Sequence, residues 1–336
     1  MIQIRKSIPK DRWAIIAPTR GDRPFDFSHD LEEESHPEDC PFCEGNEEET
    51  PPEVFAVRDE GKPNGTGWKV RVFPNKYPAL DDEEAPYRIE GDLFETIGGF
   101  GSHEVLVESP DHEAHLEEIP PERIEMVLEG YLARYRSLIS VPDIEYVSIF
   151  KNRGKRAGAS LSHPHSQIMA TPFVPELQTR ELDNTRNFFA ERGECFYCNL
   201  LESETSERTR IVLENEGFVV LSPYAASAPF ELHIIPKTHR GNFEKITGDE
   251  KTILARTMKS TLTAMTNELG DFPYNYFIHT APPPQDNGDH PEDYYHWHLE
   301  IIPRLTNPAG FEWAGGNFIN VVQPEDAAGR IRHALP

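Results

Sequence analysis

The sequence is poor in cysteine, in basic residues and in long apolar runs, and each shortage excludes something. None of its 336 residues belongs to an apolar stretch of 18 or more, so no membrane-spanning helix is expected. The opening Met1-Ile2-Gln3-Ile4-Arg5-Lys6 lacks the apolar core of a signal peptide, and the expected location is the cytoplasm. Lysine and arginine number 33 against 58 acidic residues, a formal charge of −25. Such a surface repels nucleic acid and anionic membranes, so neither is an expected partner. A phosphate-bearing ligand must then be held by local features inside a site. Arginine outnumbers lysine, which with the acidic excess suits a halophilic host. At 37% hydrophobic and 27% charged residues the chain is a packed globular protein, long enough for two domains or for one fold used twice.

The four cysteines form two pairs, Cys40-Pro41-Phe42-Cys43 and Cys195-Phe196-Tyr197-Cys198. Without a secretion signal disulfides are a poor reading, and a redox motif needs only one pair. Two-cysteine knuckles with distant histidines suit tetrahedral zinc.

Alternating residues predict short strands near Ile2/Ile4 and over 13–17, with Arg20 at a strand tip. Further strands are expected at 68–73, broken at Pro74-Asn75, and at 103–108 and 146–151. Apolar spacing predicts a helix over 123–138, and 177–192 reads as a helical connector. Strands at 210–213, 218–221, 229–236 and 275–279, a helix at 250–269 and a strand through 294–303 complete the pattern. The order cysteine pair, strand, Pro-x-His or Pro-x-x-His, long helix, strand, His-x-His thus occurs twice. The repeat supplies the missing ligands: Cys40, Cys43, His112 and His163 for one metal, Cys195, Cys198, His239 and His296 for the other.

Each His-x-His pair then has one histidine left over, His165 and His298. In Gly158-Ala159-Ser160-Leu161-Ser162-His163-Pro164-His165-Ser166-Gln167 the lead-in is small and flexible, and basic Lys151-Asn152-Arg153-Gly154-Lys155-Arg156 precedes it. Strand geometry would put His163, His165 and Gln167 on one face. His298 has Tyr294-Tyr295 before it and Leu299 after it, with no phosphate cradle. His165 is therefore the better nucleophile.

Together with Ala17-Pro18-Thr19-Arg20, Val72-Phe73-Pro74-Asn75-Lys76-Tyr77-Pro78, Glu108-Ser109-Pro110-Asp111-His112 and Gly310-Phe311-Glu312, these motifs resemble the galactose-1-phosphate uridylyltransferase family of the histidine-triad superfamily, almost end to end. The resemblance implies an α+β fold of two tandem histidine-triad-like halves, residues 1–175 and 176–336, each an antiparallel sheet with helices packed on one face. It implies attack by His165 on the α-phosphorus of a nucleotide sugar, a nucleotidyl-histidine intermediate, and transfer to a hexose 1-phosphate. Gln167 would donate to a phosphoryl oxygen, Ser160, Ser162 and the loop backbone would hold others, Arg20, Asn75 and Asn152 would line the nucleotide, and Glu312 would accept from sugar hydroxyls. The implied cofactors are two zinc ions, with iron an alternative at the second site, and the implied assembly is a homodimer. Some members hold the second metal with a glutamate and three histidines, for which Glu181, His279, His296 and His298 are the counterparts; the cysteine pair favours the other set. Ser166, where many members have glycine, and the second Cys-x-x-Cys lie closer to the ADP-glucose phosphorylase branch. An adenylyl transfer of that kind is the alternative activity, and a zinc-bearing binding module the alternative from another class.

Overall fold

The computed structural model describes residues 2–19, 39–83, 86–284 and 288–336. Arg20 lies outside them. The strands are β1 (Gln3–Ser7), β2 (Arg12–Ile16), β3 (Phe55–Arg58), β4 (Trp68–Pro74), β5 (Arg88–Glu90), β6 (Glu95–Ile97), β7 (Ser102–Val107), β8 (Tyr146–Arg153), β9 (His165–Thr171), β10 (Ile211–Glu214), β11 (Phe218–Leu221), β12 (Leu232–Pro236), β13 (Tyr274–His279), β14 (His298–Pro303) and β15 (Phe318–Asn320). The helices are α1 (Pro121–Ile139), α2 (Glu176–Arg192), α3 (Phe196–Glu207), α4 (Gly248–Leu269), α5 (Pro291–Tyr294), α6 (Gly310–Gly315) and α7 (Pro324–His333).

The fold is α+β, as expected, but its main sheet is continuous. Ten strands run β10-β11-β12-β14-β13-β8-β9-β7-β4-β3, every neighbouring pair antiparallel. The two halves join where β8 pairs with β13, Phe150 opposite Phe277. Read outward from that seam, the order is the same on both sides: seam strand, His-x-His strand, outer strands. The sequence reveals the repeat, but not that its copies share one hydrogen-bonded sheet, because the edge residues of β8 and β13 look like those of any strand. A small sheet ties the chain ends together: β1 pairs with β2, and β15 runs parallel to β2.

The two faces of the sheet have different tasks. One meets α1 and α4, which pack against each other. α1 buries Ile124, Val127, Leu128, Tyr131, Leu132, Tyr135 and Leu138, the predicted apolar stripe, and starts with Pro121 at its first turn, where a missing N–H costs nothing. A capping box between Thr247 and Glu250 starts α4. Gly130 brings α1 close to β7; a Cβ there would stand 2.7 Å from Leu106 Cδ1. These side chains form one core with Val70, Leu106, Ile149, Ile168, Ile234, Tyr276 and Leu299 from the sheet. The other face carries the polar chemistry. A single row across it reads Phe73, Val105, Gln167, Phe150, Phe277, Glu300, His233.

α3 is a helix that the sequence does not announce. Only Tyr197, Leu201 and Glu204 are buried on it, and its Glu-Ser-Glu-Thr-Ser-Glu end has no apolar period to detect. Among the described residues no helix is long and apolar enough to cross a membrane.

Candidate active site and metal centres

The first knuckle is a turn in which the Cys43 N–H donates to the Cys40 carbonyl. Its thiols face histidines brought from two other places, the loop after β7 and the approach to β9. Cys43 Sγ lies 3.2 Å from His112 Nδ1 and 3.5 Å from His163 Nδ1, and Cys40 Sγ lies 3.6 Å from His163 Nδ1. All four ligand atoms fall within 4.8 Å of one another, a group that could hold a metal ion. The other ring nitrogens are engaged. His163 Nε2 donates to the Ser109 carbonyl at 2.8 Å, and His112 Nε2 is 3.1 Å from Ser162 Oγ. That leaves each Nδ1 with its lone pair turned inward, the tautomer a metal ligand needs. Burial pushes the His163 imidazole down to about 4, so it is neutral, and pushes the Cys43 thiol, helped by neighbouring Cys40, up to about 12. A thiol that resists ionisation on its own becomes a thiolate beside a cation, so the donor set fits a closed tetrahedral zinc-type site.

The second knuckle repeats the design. Cys198 Sγ stands 3.4 Å from His239 Nδ1 and 3.7 Å from His296 Nδ1, with Cys195 Sγ 4.0 Å from His296. Nε2 of His239 donates to the Glu292 carbonyl and that of His296 to the Pro236 carbonyl. The Cys195 thiol, together with the two histidines, holds Cys198 down at about 3 and is itself pushed up. His239 is exposed, so this centre is open on one side.

Pro164 and the metal-facing turn of His163 separate the two histidines of the first pair. β9 begins at His165, so His163 precedes the strand instead of sharing its face. His165 Nδ1 donates to the His163 carbonyl at 2.8 Å, which fixes the tautomer and leaves Nε2 with no hydrogen-bond partner among the described residues. Burial pushes the imidazole below its usual range, keeping it neutral and nucleophilic. Phe42 from the knuckle lies edge-on against its ring at 5.3 Å.

His298 has the same backbone bond, Nδ1 to the His296 carbonyl at 3.0 Å, but its Nε2 is occupied. It lies 3.4 Å from Tyr197 Oη and 3.4 Å from Glu300 Oε1, and its ring stacks on His279. Glu300 also meets Lys10 Nζ at 2.5 Å and His233 at 3.2 Å, and Glu181 accepts from His279 and Tyr295. Although burial opposes it, Glu181 and Glu300 raise the pKa of His279, while burial drives His298 down to about 4. Lys10 and Glu300 are not evident in the sequence, because their partners lie almost the whole chain away. Glu181, His279, His298 and Glu300 form a further group able to hold a cation. His296, counted with the glutamate and histidines in the alternative set, sits with the cysteines, and Glu300 takes its place.

The loop before the histidines is shaped by Gly154 and Gly158, both at positive φ (82° and 90°), around a single turn at residues 155–157. The N–H groups of Gly158 and Ala159 close that turn on the carbonyls of Lys155 and Gly154. Ser160 is exposed. Asn275, from the other half, donates to Asn152 Oδ1 at 2.7 Å and to the Ala157 carbonyl at 2.8 Å, pinning both strand and loop. Asn75 Oδ1 accepts from the Tyr77 N–H at 2.9 Å, so its turn is side-chain bonded.

One expectation changes. The basic flank is not a phosphate-facing patch. Strand alternation sends Lys151 and Arg153 to the helix side, where Lys151 pairs with Glu108 at 2.5 Å and Arg153 with Glu117 and Asp271. Glu312 lines a cavity of about 650 Å³ with Phe277, His279 and Glu300, and Glu300 stands three strands from Gln167, about 14 Å at ordinary strand spacing. Its carboxylate accepts from the Ala309 N–H, capping α6.

Lys151 and Glu108 are almost fully buried, and Lys151 Nζ also reaches the His165 carbonyl at 3.3 Å. Lys151→Met leaves a naked buried carboxylate and should cost about 3–5 kcal/mol in urea unfolding. Pairing it with Glu108→Leu should recover most of that loss. Equal losses in single and double variants would show that the pair does not act as a unit.

A neutral imidazole with one nitrogen unbonded among the described residues, at a strand start beside a Cys/His group that could hold a metal ion and a glycine-shaped loop, suits an enzyme that moves a nucleotidyl group between phosphates. Comparison with known proteins gives the same class. The family models for the N-terminal and C-terminal domains of galactose-1-phosphate uridyl transferase match residues 3–175 and 181–307. The chain belongs to the galactose-1-phosphate uridylyltransferase family of hexose-1-phosphate nucleotidyltransferases. Among curated relatives it is 40% identical to ADP-glucose phosphorylase of Arabidopsis thaliana, over 98% of this chain and 92% of that protein. It is 32% identical to galactose-1-phosphate uridylyltransferase of Thermotoga maritima, over 99% and 98%. Among solved structures, the Arabidopsis thaliana ADP-glucose phosphorylase with bound ADP-glucose superposes with a TM-score of 0.83 at 37% identity, covering 99% of both chains. A uridylyltransferase superposes at 0.76 and 31% identity, over 99% and 98%.

Proposed function

We propose that His165 Nε2 attacks the α-phosphorus of a nucleoside diphosphate sugar. The N–P bond forms as the bond from phosphorus to the bridging oxygen breaks, and the sugar 1-phosphate leaves with the electron pair. An oxygen of a second phosphate then displaces the imidazole and takes the nucleotidyl group. The observation that carries this reading is the tautomer of His165, its Nδ1 bound to a carbonyl and its Nε2 without a partner among the described residues. The covalent step divides one difficult displacement into two easier ones. Gln167 and the backbone from Ser160 onward would hold the phosphoryl oxygens, with Asn75, Asn152 and Arg20 at the nucleotide and Ser162 supporting both loop and His112. The N-terminal half would thus carry the nucleophile and the C-terminal half its buttress, Asn275, and the sugar contact, Glu312. Cys40, Cys43, His112 and His163 would hold a structural zinc, and Cys195, Cys198, His239 and His296 a second; the metals would organise the ligand-bearing loops.

ADP-glucose is the favoured donor, supported by the higher identity and closer superposition of the phosphorylase. UDP-glucose with a galactose 1-phosphate acceptor is the second reading, supported by both family models. The exposed apolar tip of the β5–β6 hairpin, Ile89, Leu93 and Phe94, supports a homodimer, and four free cysteines support a cytoplasmic setting. Incubation with each nucleotide sugar labelled on the α-phosphate should give an acid-labile protein adduct. Discharge by phosphate, glucose 1-phosphate or galactose 1-phosphate then identifies the acceptor. If neither nucleotide leaves label on the protein, the covalent mechanism is wrong.

A further inference from the structure

Asn75 and Gln167, which the proposed reaction places at the nucleotide and at the phosphoryl group, share a neighbour with no role so far. His103 lies on β7 opposite Met169 and diagonal to Gln167, on the face that bears His165. Its Nδ1 accepts from the backbone N–H of Ala79 at 3.2 Å. A backbone N–H cannot be turned around, so this bond assigns the ring proton to Nε2. Nε2 lies 2.7 Å from Gln167 Oε1, to which it donates. Among the described residues His103 is the hydrogen-bond partner of the Gln167 side chain, and with the oxygen engaged, the amide NH₂ is the end left for a ligand. Asn75 Nδ2 stands 3.3 Å from the same Nε2 and is donor against donor there. Asn75 is held instead by its own N–H, which donates to the His103 carbonyl at 2.7 Å. One imidazole therefore joins the 74–80 turn to Gln167.

We propose that His103 is a positioning residue that keeps the NH₂ of Gln167, and not its oxygen, towards the phosphoryl group. The proposal rests on the reading of His165 and Gln167 given above. A glutamine amide has two orientations of nearly equal shape. In one it donates to a phosphoryl oxygen as charge develops there; in the other it presents an acceptor to an anion. Fixing the donor beforehand is what an oxyanion-stabilising group requires. The Ala79 bond also makes that orientation depend on the turn that borders the nucleotide.

A matched pair of variants separates orientation from mere packing. His103→Gln can accept from Ala79 and donate to Gln167, whereas His103→Glu has the same size and only accepts. The measurement is the single-turnover rate of protein labelling from the α-labelled nucleotide sugar, with KM determined alongside. His103→Gln is expected within about fivefold of the parent and His103→Glu about 10²-fold slower, with KM within about threefold for both. In a Gln167→Ala background the two substitutions should agree within about twofold, since no amide remains to be oriented. Equal rates for the pair with Gln167 intact overturn the proposal, as does the same rate ratio persisting without Gln167. Thermal unfolding reports folding, and His103→Leu, which also lacks a donor, carries the same expectation if the carboxylate variant does not fold. A parent enzyme that takes no label overturns the histidine chemistry itself, a result distinct from any difference between the two variants.

Discussion

His165→Ala is expected to lose the labelled adduct completely and to lower turnover by about 10⁴-fold or more, while retaining its fold and its metal. Among the described residues the ring's one hydrogen bond runs to the His163 carbonyl, so the variant leaves no buried polar atom there orphaned except that carbonyl. Mass spectrometry of the quenched reaction and metal analysis of the same sample check both halves of the expectation. His298→Ala is the control. It should keep turnover within a few-fold and yet unfold at lower temperature, because it opens a buried network in which Glu300 also faces Lys10 and His233. An adduct persisting in His165→Ala, or a loss of adduct only in His298→Ala, would reverse the assignment of the two repeats.

Cys43→Ser should release one equivalent of metal and destabilise the protein by on the order of 5 kcal/mol or more, and turnover should fall with it. The coupling is short. The metal would hold His163, whose carbonyl holds His165 Nδ1, and Cys43 itself is the thiol nearest His112. Cys198→Ser should likewise release one equivalent but leave the adduct rate within about tenfold, because His298 behind that centre faces Glu300 and Tyr197 rather than the nucleotide loop. Zinc release read with a chromogenic chelator, beside the single-turnover rate, distinguishes a catalytic from a purely structural dependence. Equal loss of rate in the two variants would show that both centres support the nucleophile alike.

The ligand groups were legible because metal chemistry restricts them to a few residue types at short spacings, repeated twice. Both Cys₂His₂ groups assemble as the repeat predicts. The choice of His165 over His298 as the proposed nucleophile came from comparing the flanks of two equivalent histidines. Illegible were the residues that work through tertiary position: Asn275 holding Asn152, His103 holding Gln167, and Lys10 closing on Glu300. Each is a common polar residue in an ordinary strand or turn, and nothing local marks its partner. The misjudged basic flank has a related cause. The 146–153 stretch is one strand, so Lys151 and Arg153 both face the helices, where pairing with Glu108, Glu117 and Asp271 offsets the positive charge that composition suggests.

A sheet whose strand order reads the same from either edge is the form two identical chains make when they pair through one edge strand. Covalent joining ends the requirement that both copies keep the same residues. The C-terminal copy shows the divergence that follows: Leu299-Glu300 stands where the first has Ser166-Gln167, and the freed histidine has been absorbed into an ion network. The symmetry survives in the backbone at Phe150 and Phe277, which face each other across the seam between the copies, while the side chains on either side differ.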